Sequence, residues 1–521
     1  MYLLGLSCFY HDSAACLLKD GVPVAAASEQ AFTRKKHDEE FPVHAIRYAL
    51  RTAGIGMDQV DAVAFYDKPL VKFERIILSH IATFPKSFSQ FVSGMPSWFS
   101  TKLRLDKLLD KEFAYAGPIL YGRHHLSHAA SAFYCSGWEE AAVLTVDGVG
   151  EWATASWGYG RGSQLHLTGE IRFPHSLGLL YSAFTYYLGF KVNSAEYKVM
   201  GLAPYGEPRY VDRIKELIHI LPDGTFRLDM RNFTFDHGLR MYNQRFEEVM
   251  GEPTRPLETG ELTQFHKDVA RSLQAVVDEV MVRLATRVVE ETGIPRLCLA
   301  GGVALNCVAN GHILREAPIE DIFVQPAAGD AGGAMGAALW AWHDVLGKPR
   351  QWKLEDVYLG PGYDDVEVQQ TLDRFGAVYT RLDRQPLLDE TARLIDQGNV
   401  VGWYQDRMEW GPRALGHRSI LGDARNPEMR DIINMKIKMR EGFRPFAPTI
   451  LEEHVARYFQ LERPSPYMLL VAPVQPDKDL PAVTHVDGSA RVQTISRQQD
   501  ELYYDLIDTF RQQTGCPVVI N

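Results

Sequence analysis

The sequence predicts an α/β protein of two domains, and three observations support this. The chain has 521 residues, more than one hydrophobic core usually supports. Two similar patterns of strand, acidic loop and strand begin near residues 2 and 142. Two units of strand, glycine-rich loop and helix begin at 297–300 and 322–325. Units of this last kind predict a sheet whose ligands bind at the carboxyl ends of its strands.

The first pattern consists of apolar runs at 2–8, 14–18 and 22–28, with a turn at Asp20-Gly21 between the second and third. Asp-Gly between two apolar runs is a strong hairpin signal. The second pattern has runs at 142–147 and 152–159. Their similarity suggests an internally duplicated domain, and two unrelated hairpins are the alternative.

The remaining organisation follows from periodicity and breakers. Residues 68–113 have helical periodicity with aromatic residues, and we interpret them as an insertion. Residues 263–292 predict a long amphipathic helix, a further helix begins near Ala304, and an alanine-rich helix runs to Trp342. Residues 347–363 are the best candidate linker. We therefore expect a large domain at 1–350 and a smaller α+β domain at 351–521.

Composition limits the class of partner and the compartment. The 55 Lys and Arg face 66 Asp and Glu, a net charge of −11, which argues against nucleic acid and anionic membrane as partners. The six cysteines are scattered without a C-x-x-C pair, as expected in a reducing cytosol. The N-terminus has no signal-peptide pattern. The most apolar stretches are interrupted by polar residues: Asn306, Asn310, His312 and Asp330. No membrane span is therefore predicted, and we expect a cytoplasmic protein.

Four residues are candidate metal ligands. His124 and His128 are four residues apart at a predicted helix start, so their side chains share one face. Asp147 and Asp330 each follow an apolar strand. Two imidazoles and two carboxylates would suit a first-row divalent ion with open positions. The alternative is a hydrogen-bonded helix N-terminus, because this histidine spacing often arises by chance.

The loops at 301–302 and 329–333 are rich in glycine, and helix N-termini follow them. Such loops let the backbone approach a phosphate or a nucleoside. Neither loop is a Walker or Rossmann motif. Close helix packing is therefore an alternative explanation for the glycines. In the first loop, His11 with Asp12 beside it could act as a general base on a hydroxyl. An exposed or capping histidine is the alternative.

The second domain contains a dense basic segment. Between Arg413 and Arg444, eight basic residues face four acidic ones. Arg can bind phosphate in a bidentate manner, so this surplus predicts a pocket for small anions. A solvated basic face is the alternative, but the stiff frames Gly-Pro-Arg-Ala-Leu-Gly and Arg-Pro-Phe-Ala-Pro fit it poorly. Arg491 could add another anion ligand.

Eight strings along both domains are shared with a known family. The chain resembles the O-carbamoyltransferases of antibiotic, nodulation-factor and toxin biosynthesis, nearly from end to end. The strings are 9–14 (FYHDSA), 32–38 (FTRKKHD), 124–132 (HHLSHAASA), 146–151 (VDGVGE), 196–206 (EYKVMGLAPYG), 301–307 (GGVALNC), 410–421 (WGPRALGHRSIL) and 444–448 (RPFAP).

The resemblance implies a duplicated actin-like fold for 1–350 and a YrdC-like fold for 351–521. Similar enzymes use carbamoyl phosphate and ATP, with Mg²⁺, to form carbamoyl-adenylate in the small domain. The intermediate passes through an internal channel to the large domain, which transfers the carbamoyl group to an acceptor hydroxyl and releases AMP. Members usually continue beyond the equivalent of Asn521, so the small domain is expected to be incomplete at its C-terminal end.

The resemblance also implies residue roles. His11, with Asp12, matches the loop that deprotonates the acceptor. The metal ligands are His124, His128, Asp147 and Asp330, with iron as the expected ion. The nucleotide contacts of the transfer site are Gly148, Gly301, Gly302, Asn306 and Gly329. The contacts with carbamoyl phosphate and ATP are Arg413, His417, Arg418, Lys438, Arg444 and Arg491.

Two other classes of function were weighed. An actin-like small-molecule kinase or ATPase would use the Asp147 hairpin, but it leaves the arginine-rich domain unexplained. A metal-binding scaffold or simple metallohydrolase would use the His and Asp cluster alone. The predicted acceptor is a small hydroxylated natural product whose identity no motif specifies. Aromatic residues of 68–113 that are expected to be exposed suggest a homodimer.

Overall fold

The computed structural model describes residues 1–521, apart from the side chain of Ser100. The chain divides into two units, Met1–Leu354 and Glu355–Asn521, four residues beyond the predicted boundary. Residues 346–364, which include the whole predicted linker 347–363, contain no helix or strand. Each unit is described by itself below.

The first half of the large unit forms a five-stranded sheet of order β3-β2-β1-β4-β5. β1, β2 and β3 are antiparallel neighbours, and β4 and β5 continue the sheet in parallel. The strands are β1 (Tyr2–Ser7), β2 (Ala14–Lys19), β3 (Val22–Ser28), β4 (Ala62–Phe65) and β5 (Ile119–Tyr121). The helices are α1 (Gln30–Thr33), α2 (Val43–Ala53), α3 (Pro69–Thr83), α4 (Phe88–Ser97), α5 (Leu105–Phe113) and α6 (His124–Ser136).

The second half repeats this topology, with a sheet of order β12-β11-β6-β7-β8. Its strands are β6 (Glu140–Val146), β7 (Ala153–Arg161), β8 (Gln164–Arg172), β11 (Arg296–Ala300) and β12 (Asp321–Val324), with a separate ribbon of β9 (Ile218–Ile220) and β10 (Phe226–Leu228). Its helices are α7 (Leu177–Tyr187), α8 (Glu196–Leu202), α9 (Val211–Leu217), α10 (Gln244–Met250), α11 (Gln264–Thr292), α12 (Cys307–Glu316) and α13 (Asp330–Trp340).

The two sheets show the internal duplication directly. In each half, three antiparallel strands are followed by two parallel ones, so β6 corresponds to β1 and α13 to α6. The central strands are buried along almost their whole length, as expected when both faces of a sheet are covered. The duplicated actin-like prediction is confirmed, and the alternative of two unrelated hairpins is wrong.

The segment 68–113 lies between β4 and β5 and is helical, as predicted. It contains α3, α4, a π-helical turn at Trp98–Lys102, and α5. The homodimer predicted from this segment stays a prediction. Several large apolar side chains are exposed on its surface: Leu70, Leu78, Ile81, Phe84, Phe88, Val92 and Phe99.

One predicted helix start is wrong by a few residues. The backbone near Ala304 forms a 3₁₀ turn, Gly302–Leu305, and α12 begins only at Cys307. The reason is the side chain of Asn306, which accepts a hydrogen bond from the amide of Ala309 and caps α12.

The small unit has a six-stranded sheet of order β13-β14-β18-β15-β17-β16, flanked by helices, which is the predicted α+β class. Only β15 and β17 pair in parallel in this described sheet. The strands are β13 (Val401–Tyr404), β14 (Arg418–Asp423), β15 (Pro448–Leu451), β16 (Leu470–Pro473), β17 (Ser489–Ile495) and β18 (Val518–Ile520). The helices are α14 (Asp365–Arg374), α15 (Arg384–Asp396), α16 (Met429–Ile432), α17 (Val455–Tyr458) and α18 (Glu501–Thr514).

Two further findings concern the cysteines and the helices. All six cysteines are buried and unpaired. Among the described residues, none of the helices combines the length and the apolar character that a membrane crossing requires.

Candidate functional site

The two equivalent helices α6 and α13 pack closely against each other. A Cβ atom at Gly336 of α13 would overlap the backbone carbonyl of Ser127 in α6, so only glycine permits this approach. α6 begins with His124 and α13 with Asp330. The close packing therefore brings the N-terminal turns of both helices to one place, at the carboxyl end of β6.

Four buried side chains converge there: His124, His128, Asp147 and Asp330. His124 Nε2 lies 3.0 Å from Asp147 Oδ2 and 3.1 Å from His128 Nε2. Asp330 Oδ1 lies 3.6 Å from the Nε2 atom of each histidine. The structure thus brings together the four residues that the sequence proposed as metal ligands.

The donor geometry fits a metal ion. Metal–ligand bonds of ~2.1 Å that meet at about 90° to 110° separate neighbouring donor atoms by about 3.0–3.4 Å. The shortest separations in the cluster, 3.0 and 3.1 Å, fall in that range. The Nδ1 atoms of His124 and His128 are buried without a hydrogen-bond partner among the described residues. The Nε2 atoms of both rings face the carboxylates. The four side chains can therefore hold a divalent ion.

The charges of the cluster depend on one another. Burial by itself would raise the pKa of Asp147, but the hydrogen bond with His124 and the nearby imidazole of His128 hold it well below its ordinary value. Burial likewise opposes ionisation of Asp330, and the charges of His11 and His124 outweigh it and lower its pKa. Both carboxylates are therefore ionised near neutral pH and offer two negative charges to a cation.

Four glycines surround the cluster. The backbone amide of Gly302 donates to Asp147 Oδ1 at 3.0 Å, and Gly301 adopts φ 93°, where a Cβ would collide with Val146. A Cβ at Gly148 or Gly329 would meet nothing within 4 Å. The close approach to Val146 explains Gly301 by packing, whereas Gly148 and Gly329 leave open space beside the carboxylates, as a nucleotide would require.

Asn306 is used by the protein itself. Its side chain caps α12 and exchanges two hydrogen bonds of 3.1 Å with the amide of Gln274. Asn306 thus uses its side-chain oxygen and one N–H to hold α12 against α11. The predicted contact of Asn306 with the nucleotide stays a prediction.

His11 lies in the loop after β1, the counterpart of the Asp147 loop after β6. Its Nδ1 lies 3.1 Å from Asp12 Oδ2, and Asp12 Oδ1 lies 2.8 Å from Nδ1 of His37. Asp12 and His37 both have positive φ angles. The carboxylate of Asp12 therefore bridges two imidazoles and fixes the ring of His11.

The sequence reasoning missed three residues here. His37 lies in the shared string 32–38 and Glu151 in 146–151, but the strings themselves do not indicate their roles. Glu151 accepts the backbone amide of His124 at 2.9 Å and so anchors the start of α6. The hydroxyl of Tyr66 donates to Asp330 Oδ2 at 3.4 Å. The position of Glu151 at the end of a glycine-containing loop is a pattern that could have indicated its role at the start of α6. No sequence pattern indicates the role of Tyr66.

In the small unit, the predicted anion ligands collect at one edge of the sheet. β14, β15 and β17 run in the same direction, so their first residues share that edge. Arg413 precedes β14, Arg444 precedes β15, and Arg491 is the third residue of β17. Asn521 joins these segments: its side-chain amide donates to the carbonyl of Ala414 at 3.2 Å and to Gln493 Oε1 at 2.8 Å.

Lys438 belongs to the same surroundings. Partial burial lowers its pKa, and the positive charges of Arg440 and Arg444 lower it further. Arg444 in turn lies 3.7 Å from Glu441 in an ion pair. A lysine whose charge is opposed by two arginines is stabilised by an incoming anion, and the phosphates of carbamoyl phosphate or ATP would supply one.

Two of the predicted anion ligands form hydrogen bonds within the protein, and their contact with phosphate stays a prediction. His417 is buried, with Nδ1 2.6 Å from the carbonyl of Arg407 and Nε2 2.9 Å from Asp500 Oδ2. Arg418 donates to backbone carbonyls of Gln405, Pro361 and Asp406. These contacts use both ring nitrogens of His417 and the terminal nitrogens of Arg418, so both side chains help to hold the loop that carries Arg413.

Both units of the chain are similar to known proteins. Residues 2–339 match the family model described as carbamoyltransferase N-terminus, and residues 392–521 match carbamoyltransferase C-terminus. An uncharacterized protein of Synechocystis is 50% identical and covers 100% of this chain and 90% of its own length. Nodulation protein NolNO of Sinorhizobium fredii is 39% identical over 98% of this chain and 74% of its own.

Among solved structures, a ROK hexokinase of Thermus thermophilus aligns with 66% of this chain and 100% of its own, at 16% identity and a TM-score of 0.33. The family models cover both units and include every predicted site residue in the ranges they match. The chain, which carries a four-ligand cluster in one unit and a cationic sheet edge in the other, therefore belongs to the carbamoyltransferase family and is a transferase.

Proposed function

We propose that the protein is an ATP-dependent O-carbamoyltransferase with one half-reaction in each unit. In Glu355–Asn521, carbamoyl phosphate, ATP and one water give carbamoyl-adenylate, pyrophosphate and phosphate. In Met1–Leu354, a hydroxyl of a small acceptor takes the carbamoyl group and AMP leaves. The observation that carries the proposal is the convergence of His124, His128, Asp147 and Asp330 beside the loop of His11.

The adenylation half needs positive charge where the pyrophosphate leaves. Arg413, Arg444 and Arg491 come from three segments at one sheet edge, with Lys438 beside Arg444. Arginine forks at fixed positions can bind two phosphoryl groups at once, because each fork matches a pair of phosphate oxygens. This cluster is our proposed binding site for carbamoyl phosphate and the ATP phosphates, with Mg²⁺ accompanying ATP.

The transfer half needs a base for the acceptor hydroxyl. With Nδ1 of His11 bound to Asp12, Nε2 is the atom left to take the proton. Gly148 and Gly329 leave room for the nucleotide beside Asp147 and Asp330. A divalent ion, iron in our proposal, held by His124, His128, Asp147 and Asp330 would supply positive charge opposite the nucleotide phosphate.

The experiment that tests this proposal is incubation of the protein with ATP and carbamoyl phosphate, followed by nucleotide analysis. AMP whose formation depends on carbamoyl phosphate supports the proposal. ADP released without carbamoyl phosphate would instead favour the kinase or ATPase. Retained metal with no nucleotide turnover would favour the scaffold or metallohydrolase.

Replacing His11 by asparagine is expected to spare adenylation and to block carbamoylation of an acceptor, because only the transfer step needs this base. Loss of one general base typically costs about 10²- to 10⁴-fold in rate. The measurement compares exchange of labelled pyrophosphate into ATP with acceptor-dependent product formation. His166→Asn, at an exposed histidine, is the matched control. Unchanged transfer in the folded His11 variant would remove His11 from the mechanism.

The protonation of His11 is expected to respond to a bound cation. Burial would lower its pKa, but the carboxylates of Asp330, Asp12 and Asp147 raise it to about 10 in the metal-free protein. A cation that neutralises Asp147 and Asp330 removes part of that effect, so the pKa should fall toward neutrality. Histidine-selective NMR titration with and without Zn²⁺ measures this, with His11→Asn for assignment. An unchanged pKa would contradict the expectation.

A further inference from the structure

Three cations of the 68–113 segment approach the loop that carries His11. Lys72 and Arg75 come from α3, and Lys102 ends the π-helical turn Trp98–Lys102. The ammonium of Lys72 lies 3.6 Å from the ring centroid of Tyr10, and that of Lys102 lies 4.3 Å from it. Tyr10 is the residue directly before His11, so Lys72 and Lys102 lie beside the loop of the proposed base. Arg75 is one helical turn from Lys72 on the same face of α3, and its charge acts on Tyr10.

Lys72 is fully compensated. It is 2% exposed and forms a 2.6 Å ion pair with Asp67, which is also buried. The nearby carboxylate of Glu151 is occupied too, since it accepts the backbone amides of Lys68 and His124. The carboxylates of Asp67 and Glu151 thus already have partners within the protein.

Arg75 is not compensated. Its side chain is buried, with the residue 8% exposed, and its Nε atom has no hydrogen-bond partner. Among the described residues, its guanidinium forms no ion pair, and its one ring contact is with Phe173, whose centroid lies 5.0 Å away. Burial lowers the pKa of Arg75, although Tyr10, Glu151 and Asp67 oppose this. A buried guanidinium without partners is costly, and a bound anion would offset that cost.

Lys102 shows the same deficit. Burial lowers the pKa of its ammonium, and the charge of Lys72 lowers it further. Its contacts with protein groups are the rings of Tyr10 and Trp98. Among the described residues, neither Arg75 nor Lys102 forms an ion pair, although the charge of Glu39 acts on Lys102.

We propose that Arg75, with Lys102, binds an oxyanion carried by the acceptor, so that the acceptor is a hydroxylated acid with a carboxylate or phosphate group. This rests on the proposed function, because it places the acceptor hydroxyl at His11. A planar guanidinium can pair with two oxygens of either group, and the neighbouring ammonium adds charge without fixing direction. A polycationic acceptor would be repelled by the same residues.

The test uses matched pairs of acceptors and labelled carbamoyl phosphate with the full chain. Glucuronate against glucose probes a carboxylate, and N-acetylglucosamine 6-phosphate against N-acetylglucosamine probes a phosphate. We expect at least one anionic member to bind and react at least tenfold better than its neutral partner, with ligand-observed NMR reporting binding separately from turnover. Equal or better use of the neutral members would overturn the proposal.

Arg75→Gln should remove that preference by raising KM for the anionic acceptor at least tenfold, with KM for ATP and carbamoyl phosphate unchanged. Lys107→Gln, which removes an exposed charge from the same segment, should keep the preference. A preference that survives Arg75→Gln in the folded variant contradicts the proposal. A weakened KM for ATP instead would assign Arg75 to the nucleotide and also overturn it.

The two proposals fail in different ways. If AMP formation does not depend on carbamoyl phosphate, the proposed function fails, while NMR binding can still show an Arg75-dependent preference for the anionic sugars. If AMP formation is normal and the preference is absent, the function stands and the acceptor site proposed for Arg75 is wrong.

Discussion

Asp147→Asn is expected to abolish carbamoyl transfer while leaving carbamoyl-adenylate formation intact. The substitution keeps the shape of the side chain but removes the charge that His124 and His128 stabilise. Loss of one of four metal ligands costs several kcal/mol of transition-state stabilisation, about 10³-fold in rate or more. Bound metal measured by elemental analysis should fall in parallel with transfer.

Asp212→Asn, at an exposed position of α9, is the matched control and should keep both metal and activity. Asp330→Asn should reproduce the Asp147 result, since both carboxylates belong to the cluster. If the folded Asp147→Asn protein transfers the carbamoyl group at the original rate, the cluster has no part in the reaction. If metal is retained and transfer is lost, the charge acts on the substrate directly.

Arg444→Ala and Lys438→Ala are expected to abolish adenylate formation and to leave transfer from supplied carbamoyl-adenylate unchanged. The cations oppose one another until phosphate binds between them, so each contributes to the charge that the leaving pyrophosphate requires. Removal of one such preorganised group typically costs about 10²- to 10³-fold in rate. Pyrophosphate exchange into ATP measures the first reaction, and product formation from synthetic carbamoyl-adenylate measures the second.

Lys436→Ala controls for the loss of a positive charge, because Lys436 is exposed two residues from Lys438. Loss of both half-reactions in a folded Arg444 variant would contradict the division of work between the units. Full adenylation activity in both variants would exclude this sheet edge as the phosphate site.

The sequence could predict the cluster of His124, His128, Asp147 and Asp330 because each residue occupies a position with a recognisable rule. Asp147 follows a buried strand, and His124 and His128 share a helix face at a helix start. The convergence of these positions on Asp330 depends on the packing of α6 against α13, which became visible only in the structure. The resemblance to a known family supplied the fold of the large unit before any contact was known.

Other roles depend on contacts that sequence patterns do not encode. The resemblance assigns His417 and Arg418 to phosphate contacts, but it does not indicate their hydrogen bonds with backbone carbonyls and Asp500. His37 is 25 residues from Asp12, so no local spacing predicts their hydrogen bond. Arg75 differs from other helical arginines only by its burial without a partner.

The packing of α6 against α13 has a consequence for how the large unit holds together. Each duplicated half supplies two of the four ligands, His124 and His128 from the first half and Asp147 and Asp330 from the second. Each half alone supplies only two donors, so an ion bound by all four would link the two halves where α6 contacts α13. At a free concentration 100 times its dissociation constant, such an ion would add about 2.7 kcal/mol to the free energy of unfolding of the large unit.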